Sequence, residues 1–159
     1  MGVVIFAGSF HGKTTAHKKK LGHDCEAPPP PSAHNVDDWQ VAYDAYKEIE
    51  NRWKAERIPK DLDARNKAFN AMCLEAYKSD IPVLFSHHSE TLESSAKRAG
   101  RETRFVLLDY MEIVKRIDSM DEDPGVFRVI SAYGFAQGLA RRKGNLTLYP
   151  TIEKAIASY

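Results

Sequence analysis

The sequence predicts an α/β protein of three layers, with a central parallel sheet of about five strands and helices on both faces, in one domain spanning 1–159. Three observations lead there. Short apolar runs alternate with segments of helical periodicity along the whole chain. The first run, Val3–Ala7, is continuously apolar, as in a strand buried on both faces. A chain of 159 residues, 43% apolar and 28% charged, has the size and composition of one soluble core.

The elements follow in order. Val3–Ala7 is the first strand; Gly8 and Gly12 end it, and a helix runs from Lys13 to a stop at Gly22. His23–Glu26 is a second strand with few apolar residues. Pro28–Pro31 is a stiff extended connector. Asn35 is placed to cap a helix on which Trp39, Tyr43, Tyr46, Ile49 and Trp53 form an aromatic stripe. Pro59 interrupts, and Leu62, Phe69, Met72, Cys73 and Ala76 mark the next helix. Ile81–Phe85 is a strand, Thr91–Ala99 a helix closed by Gly100, and Phe105–Leu108 a strand. Met111–Ile117 is helical and Asp118–Gly125 an acidic loop. Val126, Val129, Ile130, Tyr133, Ala136 and Ala140 give another helical stripe. Leu146–Tyr149 is the last strand, and Pro150 and Thr151 open a helix through Ala157. A helical insert thus spans about 27–60.

Composition excludes several functions. A net charge of +1 argues against nucleic-acid binding, and the basic clusters Lys18–Lys20 and Arg141–Lys143 read as solvated helix faces. Val3–Ala7 is too short for a signal sequence or a membrane span. Two cysteines, Cys25 and Cys73, without a secretory signal indicate a reducing cytoplasm. The aromatic stripe Trp39–Trp53 is left open between the wall of a substrate pocket and a homo-oligomer interface.

The chemistry concentrates in Ala-Gly-Ser-Phe-His-Gly-Lys-Thr at 7–14, a phosphate-binding loop with alanine at its first position. The amides of Gly8, Ser9, Phe10, His11 and Gly12 surround phosphate oxygens, Lys13 reaches the β- and γ-phosphates, and the Thr14 hydroxyl ligates magnesium. Thr15 adds an α-phosphate contact. ATP and Mg2+ are the expected cofactors. Gly8, Phe10, Thr14 and His17 also resemble the opening motif of nucleotidylyltransferases, although Ala16 stands where that family has glycine.

Beyond the loop, "IPVLFSHHSETLESSA", "RFVLLDYMEIVKRI", "DEDPGVFRVISAY" and "LARRKGNLTLYPTIEKAIASY" resemble, in order, segments of the adenylate-kinase branch of the P-loop nucleoside monophosphate kinases. The resemblance implies a P-loop NTPase fold with a shortened lid. It implies that Arg116 and Arg128 reach over the transferring phosphoryl group, with Lys13 completing the catalytic set. Arg141 and Arg142 would contact the donor base, on which Arg can stack. Ser86 stands where the family has an aspartate and Glu90 where it has an acceptor-gripping arginine. Asp24 or Glu26 then supplies the missing magnesium-side carboxylate or a general base, with Asp24 assigned to the metal, and Arg52, Arg57, Arg65 and His87 are assigned to the acceptor. The expected function is transfer of the γ-phosphoryl of ATP to a nucleotide, most simply a (deoxy)nucleoside monophosphate. A nucleotidylyltransferase and a non-catalytic nucleotide-binding protein are the alternatives.

Overall fold

Strand β1 (Val3–Ala7) is buried at every position because both of its edges are paired and both of its faces are covered. The computed structural model describes residues 2–56, 59–142, 144 and 146–157, with backbone alone at 59–61. β3 (Val83–Phe85) lies parallel to β1 on one edge, with Val4 opposite Val83 and Phe6 opposite Phe85. β4 (Glu102–Val106) lies parallel on the other, from Val3 opposite Glu102 to Ala7 opposite Val106. β2 (His23–Asp24) extends the sheet beyond β3, and β5 (Leu148–Tyr149) beyond β4. The order is β2-β3-β1-β4-β5, all parallel.

Alternation along β1 sorts the core into two layers. Val3, Ile5 and Ala7 face α1 (Lys13–Lys18) and α7 (Ile152–Ala157), packing with Ala16, Ile152 and Ala155. Val4 and Phe6 face the opposite layer. There Trp39 and Tyr46 of α2 (Val36–Glu56) and Met72 and Cys73 of α3 (Pro59–Lys78) join Leu92 of α4 (Glu90–Arg98). The same layer holds Leu139 of α6 (Val126–Arg141), and α5 (Tyr110–Asp118) buries Ile113. The two layers follow from right-handed crossovers: only the β1–β2 connection runs toward the β2 edge of the sheet, so only it takes the first face.

The expected elements are present, but α1 ends at Lys18 and not at Gly22, β2, β3 and β5 are shorter than expected, and there are three further differences. Asn35 immediately precedes α2, but its side chain donates to the Glu75 backbone oxygen at 2.8 Å, tying α2 to α3 instead of capping. The strand expected at Phe105–Leu108 lies earlier, at Glu102–Val106, since Asp109 caps α5 by accepting from the Met111 amide at 2.9 Å. The face of α6 is rotated from the expected stripe. Ala132 and Leu139 are buried, whereas Val126 and Ile130 are 64% and 60% exposed. On α6, Phe135 meets His11 of the loop after β1, with ring centroids 5.6 Å apart. Among the described residues no helix is long and apolar enough to cross a membrane.

Candidate functional site

β1 and β3 are neighbours, but α1 leaves β1 toward one layer and α4 leaves β3 toward the other. Such a reversal opens a crevice at the carboxyl ends of the strands, where ligands of parallel sheets bind. A cleft of about 520 Å³ lies there. Its floor is the β1–α1 loop, with Gly8, Ser9, Phe10 and Gly12, and the first turn of α1, with Lys13, Thr14 and Thr15. Asp24 and Glu26 follow β2 into one wall, and Ser86 follows β3. Arg116, Met120 and Arg128, from the end of α5 to the first turn of α6, form the remaining side.

Two left-handed residues shape the loop, Phe10 at φ 67° and Gly12 at φ 92°. Glycine adopts this region freely; a phenylalanine there costs about 1–3 kcal/mol. A β-carbon on Gly8 would stand 2.8 Å from the Phe135 ring and 2.9 Å from that of His11, so only glycine lets the loop pass under α6. Among the described residues, the amides of Ser9, Phe10 and Gly12 through Thr15 have no hydrogen-bond partner in the protein. Partnerless amides in a glycine-bearing loop form an anion-binding concavity.

His11, expected among the ligand-contacting residues, is folded beneath the loop and does not line the cleft. Its Nδ1 lies 2.9 Å from the Ser9 carbonyl oxygen, and its buried Nε2 has no partner among the described residues. Burial, with Arg116 nearby, lowers its pKa and keeps it neutral.

Lys13 lies in the cleft with its Nζ 3.0 Å from Asp24 Oδ1 and 3.6 Å from Glu26 Oε2. Short β2 places Asp24 there. Its pairing with β3 sets Asp24 beside Leu84, and the Asp24 amide donates to His17 Nδ1 at 3.0 Å. His17 is thereby turned toward His23, ring centroids 5.1 Å apart, and is absent from the cleft lining. Arg116 donates to the Phe10 carbonyl oxygen at 2.9 Å and meets Glu112 at 3.4 Å. The Arg128 guanidinium lies over the Phe10 ring, 5.0 Å from its centroid. Neither arginine pairs with the acids of the 118–125 loop among the described residues.

Two oxygen donors that suit magnesium line the cleft. Thr14 and Asp24 share the cleft, and Asp24 Oδ1 is taken by Lys13 and the Glu26 amide while Oδ2 has no partner among the described residues. Magnesium is commonly held by one or two protein oxygens together with substrate phosphates. No cluster of three or more His, Cys, Asp or Glu side chains able to hold a metal occurs among the described residues.

Other expected site residues lie apart. Arg65 belongs to the α2–α3 hairpin, where it covers the Trp53 ring at 5.2 Å and meets Glu50 at 3.8 Å. Arg52 is on the exposed side of α2, and Arg57 lies outside the described residues. Arg141 is exposed at the end of α6, away from the cleft. Glu90 opens α4, where the helix N-terminus favours a negative charge, and it too is outside the cleft. His87 borders a second groove of about 300 Å³, between the β3–α4 loop and the Ser131, Gly134 and Gly138 face of α6.

Sequence reading missed the anchor of that second groove. Glu93 is buried in α4, receives both Nη atoms of Arg142 (3.2 Å and 3.3 Å) and lies 2.7 Å from His88 Nε2. Burial raises its pKa, but Arg142, His88 and Lys97 more than offset this and bring it down to about 2. The separation of 49 residues between Glu93 and Arg142 leaves no local spacing signal. The small residues on α6 at 131, 134 and 138 were a legible sign of an open face. Compared with protein-family models, with curated proteins and with solved structures, the chain matches none.

Proposed function

We propose that this chain is a small P-loop kinase, adenylate-kinase-like with a shortened lid, that moves the γ-phosphoryl of ATP onto a nucleotide acceptor, a (deoxy)nucleoside monophosphate. One observation carries the reading. Three cations from three separate elements, Lys13, Arg116 and Arg128, converge with partnerless loop amides on one crevice beside the central strand. Phosphoryl transfer asks little covalent chemistry of a protein; it needs aligned oxygens and fixed positive charge.

In this reading the loop amides and Lys13 hold the donor phosphates. The polyphosphate displaces Asp24 and Glu26 from Lys13, drawing the ammonium toward its own charge. Arg116 and Arg128 meet the transferring group from the side opposite α1. Thr14 and Asp24 would hold magnesium, which would supply positive charge to neutralise the phosphates. The nucleotidylyltransferase reading is weakened by His17, which is turned away from the cleft toward His23. A non-catalytic nucleotide binder is favoured by one feature: among the described residues the cleft lining holds no arginine besides Arg116 and Arg128 to replace the acceptor grip absent at Glu90.

The deciding experiment is coupled ADP release from ATP and magnesium across a panel of nucleoside monophosphates. Turnover that disappears in Lys13→Ala, in a protein with unchanged circular dichroism, supports the kinase. Pyrophosphate release would favour the transferase. Nucleotide binding without turnover on any acceptor would leave the non-catalytic reading.

A further inference from the structure

Phe10 is the unexpected residue of the loop. It occupies a left-handed conformation that a bulky side chain seldom adopts, at φ 67°, where glycine would be unstrained. Two arginines use it. Arg116, at the end of α5, donates to its carbonyl oxygen at 2.9 Å, and Arg128, in the first turn of α6, covers its ring at 5.0 Å. The two helices on either side of the 119–125 segment are thus pinned to one residue of the β1–α1 loop.

The chemistry of the pinning matters. A carboxylate holding Arg128 would neutralise it before any ligand arrived. An aromatic face fixes the guanidinium and leaves its charge and N–H groups available. Among the described residues Arg128 has no carboxylate partner. From this we infer that Phe10 is a positioning residue: it holds Arg128 through its ring and Arg116 through its carbonyl, keeping the first cation uncompensated for a polyphosphate in the cleft. The inference rests on the crevice being an anion site, and its role in turnover is that of the kinase reading.

The test is a double-mutant cycle read by calorimetric binding of inorganic tripolyphosphate, which needs no catalysis. Phe10→Leu weakens binding about fivefold, the size of an exposed cation–π contact. Phe10→Tyr, which keeps the ring face, restores most of that loss. In an Arg128→Ala background Phe10→Leu has less than about a twofold further effect, because the contact is already gone. Phe10→Gly melts no lower than the wild type, since the backbone strain is relieved, yet binds as weakly as Phe10→Leu. Wild-type affinity in Phe10→Leu, or an equal loss in both backgrounds, overturns the inference. A wild type that binds no tripolyphosphate removes the anion site itself. The same cycle in urea then decides the clasp: a coupling of at least about twofold in the unfolding constant upholds it, and additivity overturns it.

Discussion

Lys13 and Asp24 face one another across the cleft with 3.0 Å between ammonium nitrogen and carboxylate oxygen. The lysine is the first residue of α1, the aspartate the last of the short strand at the edge of the sheet. An anion must compete with Asp24 for Lys13. Asp24→Asn removes that competitor, so it is expected to tighten magnesium-free tripolyphosphate binding while lowering magnesium-dependent turnover. Lys13→Ala loses a charge-assisted contact and weakens binding at least about tenfold. Calorimetry measures both; tighter binding in Lys13→Ala would contradict the assignment.

Arg128 is held in place without a carboxylate partner among the described residues. If it meets the transferring group, Arg128→Ala lowers kcat by about a hundredfold or more and changes the affinity for ATP far less. Steady-state ADP release separates the two effects. An increase confined to KM would assign Arg128 to substrate binding alone.

Glu93, with a side chain only 7% exposed, is held charged by Arg142, His88 and Lys97. Its folded pKa is lowered from 4.5 to about 2, so the group contributes stability that is fully present above pH 4.5 and is lost as the pH falls toward 2. That contribution is about 3 kcal/mol at neutral pH. Glu93→Gln is expected to be less stable at pH 7 and to lose the acid-limb slope across this window. Urea denaturation at several pH values measures it.

Arg101 is 4% exposed and works as a backbone staple. It donates to the carbonyl oxygens of Tyr77 at 2.9 Å, Ile81 at 2.8 Å and Val3 at 3.4 Å, and also to that of Ser79. It therefore joins the end of α3 to the start of β1. Arg101→Met leaves several buried carbonyls without a donor and costs about 3 kcal/mol or more. For a chain of this size that lowers the melting temperature by about 10 °C. An unchanged melting temperature would show that water takes over those carbonyls.

Cys25 and Cys73 are both buried and their sulfurs lie 3.5 Å apart, as free thiols. The hydrogen bond to Cys73 and burial push the Cys25 thiol up, against formation of the reactive thiolate. A thiol-reactive chromogenic disulfide should therefore label neither cysteine in the native protein at pH 8, and both after denaturation in guanidinium. Fast native labelling would mean that the Asp24–Glu26 segment opens readily.

Much of this protein was determined by the sequence alone. Continuous apolar character at Val3–Ala7 requires two covered faces, and the alternation of strands with helices requires a parallel sheet. Gly8 and Gly12 placed the loop after that strand, because glycine turns have local residue signatures. The tertiary structure decided what depends on distant partners. On α6 the buried residues are Ala132 and Leu139, and Phe135 meets His11, whereas Val126 and Ile130 of the expected stripe are exposed. The Arg142–Glu93 bridge joins helices far apart in sequence, and Arg65 was drawn to Trp53 and Glu50 instead of the cleft. Periodicity and turn chemistry are short-range properties and can be read along one chain. The choice among several cations, carboxylates and apolar faces is settled by which of them the sheet order brings together.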